Sequence, residues 1–305
     1  MLSELEPLAT SLGAYAFAVG LGLLWGSFAN VCIYRWPPTD EHPKGRSVVA
    51  PGSHCFACKA PVRWYDNVPL LSYLWLRGRC RDCKAEFSPR YLVVEALTGA
   101  LFGVAWWFAV VASAQFEPLD ARLVRFGIDA AFIVVMVIVA FIDLDTKLIL
   151  RGLMVPATVV FYALGLCEHR PWLDGLIGAA VGYGVPWLIG EIYFRVTGRE
   201  GLGLGDSDLL MAVGALLGWR GVVVSLFGGS IVGSIIGVAA IAAARARAKG
   251  RPDEPSAPAD EPAAPEDDEA EPSLMKTELP FGPFLAVAAV FFLFAEPWIE
   301  LRFRL

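Results

Sequence analysis

Two sets of residues in this chain are placed to do chemistry. The first is a pair of carboxylates at the ends of apolar stretches. Gly201-Leu202-Gly203-Leu204-Gly205-Asp206 runs directly into the apolar stretch 209–217, and 126–141 runs out into Ile142-Asp143-Leu144-Asp145. A carboxylate at the mouth of a membrane segment is costly to desolvate, so a functional role is the default reading. Alternating glycines allow left-handed turns and close backbone approach, so Gly203 and Gly205 could hold Asp206 in a narrow crevice. A flexible loop with Asp206 as an N-cap is the plainer alternative. The second set is Cys55-Phe56-Ala57-Cys58 and Cys80-Arg81-Asp82-Cys83, two CxxC pairs in one hydrophilic segment. Two such turns can complete a tetrahedral Zn²⁺ site with no open position, which stabilises a fold rather than catalysing. Reduced, unoccupied thiols are the alternative.

The elements that must position these residues are apolar. Of 305 residues, 56% are hydrophobic and only 18% charged, and the mean hydropathy is +0.55. A soluble chain would be about one-quarter charged. The net charge of −6 is local: Pro252–Ser273 holds nine acidic residues and no Lys or Arg, leaving the remainder at +3. A sequence pI near 5.2 suggests no nucleic-acid partner. Residues 11–34 form a first span, with the positive charge Arg35 after it and not before, which is the pattern of a retained span and not of a cleaved signal. Further apolar stretches lie near 91–113, 126–142, 149–166, 173–195, 206–218, 221–244 and 281–301. The expectation is an all-α integral membrane protein of about eight transmembrane helices in contact with the lipid bilayer.

Residues 35–90 carry ten Lys/Arg against five Asp/Glu, an excess that places them in the cytoplasm. With the N-terminus outside, the third span leaves the membrane at Asp143 on the cytoplasmic side, and the Asp206 loop is reached there after the fifth. Two carboxylates far apart in sequence are thus expected at one membrane face. Paired aspartates can share a proton, one acting as general base on water while the other polarises an amide carbonyl. No HExxH motif or GxSxG elbow competes with this reading, and His42, His54 and His169 are poor partners for a nucleophile.

These residues carry a resemblance. Gly198 to Asp206 with the following Leu209-Leu-Met-Ala-Val-Gly-Ala215, and Ile142-Asp143-Leu-Asp-Thr146, resemble the two aspartate segments of type IV prepilin peptidases, the GxGD membrane aspartic proteases. Gly22 to Pro37, Arg63 to Pro69, Arg77 to Cys80, Arg90 to Glu95 and Leu279 to Phe284 are similar to further motifs of that family, in the expected order. The resemblance implies an aspartic endopeptidase of the bacterial inner (cytoplasmic) membrane, with an active site facing the cytoplasm. Its substrates would be prepilins or pseudopilins, cleaved at a short basic leader, with Asp143 and Asp206 catalytic. It also implies S-adenosylmethionine-dependent N-methylation of the new N-terminus, for which the sequence shows no binding loop. Two departures stand out: Asp208 where relatives usually have Lys, and Leu150-Arg151 where Pro-Asp is common.

The expected organisation is a first span (1–34), a small cytoplasmic zinc-ribbon-like domain (35–90) holding zinc on Cys55, Cys58, Cys80 and Cys83, a catalytic membrane core (91–251), a disordered acidic cytoplasmic loop (252–278) and a last span (279–305). Two other classes compete with the peptidase. A carboxylate-based ion or proton transporter would place acids near mid-membrane, and a non-catalytic pilus or secretion assembly factor would use the cysteine domain for docking.

Overall fold

Ser11 opens the first long helix by accepting the Ala14 N–H on its hydroxyl, which satisfies one of the orphan donors of the helix start. A single turn, α1 (Glu6–Ala9), precedes it, and α2 (Leu12–Arg35) follows. The computed structural model describes residues 6–198, 203–249 and 280–303. Its other helices are α3 (Leu71–Leu76), α4 (Arg90–Trp106) with a π-helical extension Trp107–Ala112, α5 (Leu119–Thr146), α6 (Arg151–Cys167), α7 (Trp172–Thr197), α8 (Leu204–Lys249) and α9 (Gly282–Phe303). Among the described residues there is no β-strand, only three isolated bridges. The acidic stretch 252–278 lies outside the described residues.

Five helical segments are long and apolar enough to cross a bilayer: 12–35, 90–112, 119–146, 172–197 and 204–240. Two shorter apolar helices, Arg151–Cys167 and Gly282–Pro297, join them. Large apolar side chains such as Ile189, Phe227, Ile231 and Ile235 stay exposed on the outward faces, where only lipid offers them an apolar surrounding. The chain is a multi-pass membrane protein. The stretches 206–218 and 221–244, expected as separate spans, are two helical parts of α8 that meet at a break at Gly218 (φ 66°, ψ −176°), at the expected boundary. Apolarity marks the boundary but not the geometry of the break. It depends on one glycine in a left-handed conformation, packed so closely that an added methyl would lie 2.2 Å from an Asp174 carboxylate oxygen.

Small residues bring the helices together. A methyl on Gly178 of α7 would sit 2.2 Å from the Gly214 carbonyl of α8, and one on Gly182 would sit 2.1 Å from the Leu210 carbonyl. This close backbone approach is how helices associate where lipid removes the hydrophobic drive. Gly22 and Gly26 of α2 meet Phe102, Thr98 and Glu95 of α4 in the same way. The buried core that results is centred on α5, with Phe132, Ile133, Met136 and Ile142 all at 1% exposure or less.

The cysteine-bearing segment is built as a repeat of one turn. Lys59 N–H bonds to the Cys55 carbonyl and Cys55 N–H to Ala60, while Lys84 bonds to Cys80 and Cys80 to Ala85. Val62 to Ser53 is matched by Phe87 to Gly78, and the bridge His54–Pro61 by Arg79–Glu86. Lys59 (φ 60°) and Lys84 (φ 62°) take the same left-handed conformation. Every contact recurs 25 positions on. Arg81 ties the two turns together with a fork of hydrogen bonds to Asp66 (2.8 Å from Nε to Oδ2).

Candidate functional site

Asp143 lies in the last turn of α5, which ends at Lys147 in a left-handed cap whose N–H bonds back to the Asp143 carbonyl. Asp206 lies in the first turn of α8. They are 63 positions apart in sequence, and both are buried, at 5% and 9% exposure. Each carboxylate accepts one backbone N–H on Oδ2: Asp143 from Gly282 at 2.9 Å, and Asp206 from Gly203 at 3.2 Å. Among the described residues no cation pairs with either. Ile149, just past the end of α5, packs against Gly205, next to Asp206, and against Gly282, which donates to Asp143. A methyl on Gly205 would lie 2.7 Å from Ile149 Cβ, and one on Gly282 would lie 3.1 Å from Ile149 Cδ1 and 2.7 Å from Asp143 Oδ2. The α8 start and the α9 start therefore close on the end of α5.

The two glycines expected to shape this crevice have different jobs. Gly205 is needed for the space it leaves against Ile149. Gly203 is exposed and contributes its N–H. Gly282, which the sequence motif included but did not single out, does both: it leaves room for the Asp143 carboxylate and donates to it.

The neighbouring aspartates are engaged elsewhere. Asp145 pairs with Arg90, whose guanidinium also donates to the Phe141 carbonyl at 3.1 Å. Asp208, 2% exposed, faces Arg151 at 3.9 Å, while its Oδ1 is buried with no hydrogen-bond partner. The two departures from the family pattern thus meet in space. The resemblance implies an anion at 151 and a cation at 208; this chain carries the opposite charges, which attract across 3.9 Å. Sequence reading found both positions but not that they face each other, because they sit on α6 and α8.

The four cysteine sulfurs lie within 4.8 Å of one another, with Cys55–Cys83 at 3.7 Å and Cys58–Cys80 at 4.0 Å. Thiolates about 2.3 Å from one ion in a tetrahedron stand about 3.8 Å apart, so the donor set fits a metal of that kind. The cluster can bind a metal ion. The Cys58 backbone N–H, aimed at the Cys55 sulfur, is the largest cause lowering that thiol to about 6, with the Ala57 N–H adding to it. Such N–H donors favour the thiolate form that ligates metal. His54 points away, to the Gly52 carbonyl at 3.1 Å.

The opposite end of the bundle carries charges that sequence reading passed over. Arg170 grips Glu296 of α9 through two bonds of 2.8 and 2.7 Å and Glu168 through a third. Arg125 reaches Glu117 and Glu168. Asp129, buried at 7%, sits among these groups, about 21 Å along α5 from Asp143 at 1.5 Å per residue. Arg122 is fully buried against the Val110 carbonyl and Glu6. These are ties between helices, made by residues whose isolated positions in sequence gave no signal of their partners.

Comparisons with known proteins bear on the whole chain. Residues 21–109 match a family model described as the bacterial peptidase A24 N-terminal domain, and residues 130–238 match the type IV leader peptidase family. The chain is 36% identical to a prepilin leader peptidase/N-methyltransferase of Klebsiella pneumoniae, covering 68% of this chain and 86% of that relative. It is 35% identical to a protein of the same name from Neisseria gonorrhoeae, over 78% and 84% of the two chains. For one from Myxococcus xanthus the identity is 33% over 93% and 91%. No solved structure matches.

Proposed function

Because the chain belongs to the type IV leader peptidase family, we propose that Asp143 and Asp206 are the catalytic pair with which it removes the leader peptide of prepilins or pseudopilins. The observation that carries this assignment is the meeting of two buried carboxylates, from the end of α5 and the start of α8, around Ile149. The enzyme is a prepilin leader peptidase and N-methyltransferase. Each aspartate has its Oδ2 occupied by a backbone N–H, so Oδ1 is the atom left to work. In the working pair one carboxyl is protonated and the other ionised. The ionised member takes a proton from water as it attacks the scissile carbonyl. The protonated member donates to the carbonyl oxygen, and the collapsing intermediate returns a proton to the leaving amine.

The active face is the cytoplasmic one. Arg90, at the start of α4, pairs with Asp145, two residues beyond Asp143, so the catalytic end of α5 lies beside the segment with the excess of Lys and Arg. That excess favours the cytoplasmic side of the bacterial inner membrane. With α6, α9 and the two parts of α8 divided at Gly218 counted alongside the other long helices, the chain has eight spans. Residues 35–90 form a domain with structural zinc on Cys55, Cys58, Cys80 and Cys83. S-adenosylmethionine supplies the methyl group for the new N-terminus.

The test is leader cleavage of a co-expressed prepilin by Asp143→Asn and Asp206→Asn, with membrane levels of the enzyme matched. Loss of cleavage in both is expected. Cleavage that survives either substitution removes that residue from the catalytic pair.

A further inference from the structure

The short helix α3 is turned inside out for a segment in water. Its inward side spends polar atoms on the cysteine-bearing segment: Ser72 Oγ donates to the Tyr65 carbonyl at 3.0 Å, and Tyr73 OH to the Phe87 carbonyl at 3.2 Å. Its outward side, at the i, i+3, i+4 spacing of one helix face, is Leu71, Leu74 and Trp75, exposed at 66%, 62% and 83%. Arg77 ends the helix in a left-handed cap. It is exposed and makes no ion pair among the described residues.

Depth decides what covers this face. Leu70, at the head of α3, donates its N–H to Glu95 Oε2 at 2.8 Å, and Glu95 is five residues inside α4. A methyl on Gly26 of α2 would lie 2.7 Å from Glu95 Cα, so the same level is nine residues inside the end of α2 at Arg35. At 1.5 Å per residue it is about 8 Å from the start of α4 and about 14 Å from the end of α2. Each of these spans exceeds a hydrocarbon core of about 30 Å by only about 5 Å. The turn before α3 is therefore level with the edge of that core. The other end of α3 is tied to Phe87, three residues before α4, at headgroup height. Leu24, Trp25 and Phe28, near the same level of α2, are exposed as well.

The turn is built as that depth demands. Leu70 has φ 57° and ψ −50°, which is not helical. Even so, the N–H groups of Val68, Leu70, Leu71 and Ser72 are all taken up within the protein, by Ser72 Oγ, Glu95 and the Pro69 and Val68 carbonyls respectively. Non-helical backbone is tolerated at membrane depth only where the protein itself satisfies it. That requirement accounts for a buried carboxylate spent on one backbone N–H.

We propose that α3 is seated in the phospholipid leaflet at this end of the bundle, with Leu71, Leu74 and Trp75 among the acyl chains at the headgroup boundary and Arg77 on lipid phosphate. Leu and Trp on one face with a cation at its margin is the composition of an interfacial helix. The cysteine-bearing segment is thus clamped to the bilayer at a third point, besides its chain connections to α2 and α4.

The test is photo-crosslinking of the metal-containing full chain, reconstituted with a prepilin in vesicles of equal parts phosphatidylethanolamine and phosphatidylglycerol. Benzoylphenylalanine replaces Leu74 or Trp75. It also replaces Phe227, on the outward face of α8, as the lipid-facing control, and Glu86, an exposed charged position of the cysteine-bearing segment. Phospholipid adducts from positions 74 and 75 should approach the yield from position 227 and exceed that from position 86 by about tenfold. Phosphatidylglycerol should exceed its share of the vesicle among those adducts, and Arg77→Gln should return it to that share. Leu74 and Trp75 pack on nothing the label would displace, and metal content and melting temperature confirm the fold. Lipid adducts at 74 and 75 no more frequent than at 86 overturn the proposal. So does crosslinking to the prepilin, or to a second copy of the chain, in place of lipid. A phosphatidylglycerol share that Arg77→Gln leaves unmoved overturns the contact assigned to Arg77.

Discussion

The four-cysteine segment and the aspartate pair are organised on opposite principles. The cysteines come from two copies of one short turn, each held by its own backbone hydrogen bonds, so their arrangement is local and repeated. The aspartates are brought together by three helix ends, α5, α8 and α9, which meet only because the whole bundle packs. Charge differs in the same sense. Asp66 in the cysteine segment is gripped by the Arg81 fork, whereas Asp143 and Asp206 accept only backbone N–H groups among the described residues. A carboxylate neutralised by arginine holds structure; the two proposed catalytic carboxylates have no paired cation among the described residues.

The largest effect separates the two regions by function. Asp143→Asn, Asp206→Asn and the double substitution should each lower leader cleavage by roughly 10³-fold, the double no worse than the singles, because the two residues act as one unit. Melting temperature should hold or rise, since each change removes a buried unpaired charge. Cleavage rates that multiply between the singles would break the claim that the carboxyls work together.

Removing the metal should do the reverse. Strong chelation or Cys58→Ser is expected to strip about one zinc ion per chain and to loosen residues 35–90, seen as rapid amide exchange in both turns. Leader cleavage should fall far less than in either aspartate variant. If chelation abolishes cleavage as fully as Asp206→Asn does, the two regions are not separable and the comparison fails.

How much was readable beforehand follows the same division. CxxC spacing names the four cysteines that cluster, because the turn that presents them is contained in the motif. Asp143 and Asp206 were placed on one face by counting spans, yet the packing of Gly205 and Gly282 on Ile149 depends on helix contacts that apolarity does not encode. The break at Gly218 fell at the expected boundary between 206–218 and 221–244, although the sequence did not announce the left-handed conformation of that glycine. The repeat of 25 positions in the cysteine segment is carried mainly by backbone bonds, and its side chains, such as Val62 and Phe87, differ enough to hide it.

The Arg151–Asp208 pair tests whether packing near Asp206 can be read as charge logic. Arg151→Asp puts two carboxylates face to face, and Asp208→Lys opposes two cations. Each should reduce cleavage by about tenfold, through like-charge repulsion at a partly buried site and not through chemistry. The double variant, Arg151→Asp with Asp208→Lys, should recover most of the wild-type rate. Recovery identifies the two departures from the family pattern as one exchanged pair. A double variant as poor as the worse single would mean that Asp208 acts alone, its unpartnered Oδ1 serving some other group.

The smallest effect belongs to Asp66, and its sign distinguishes a structural carboxylate from a catalytic one. The Arg81 hydrogen bonds hold the Asp66 carboxyl below its ordinary range. A carboxylate lowered on folding contributes stability that is present above its unfolded value, about 4, and is lost as pH falls through the folded value. Asp66→Asn should therefore lower the melting temperature of the metal-loaded segment by about a few degrees near neutrality, where Arg81 is partly screened by solvent. The gap from wild type should narrow as pH drops below about 4, because the native carboxyl then loses its charge too. Leader cleavage at neutral pH should stay near wild type throughout. A gap that is constant with pH would show that Asp66 acts through shape and not through its charge, and the contrast drawn between paired and unpaired carboxylates would then rest on the membrane site alone.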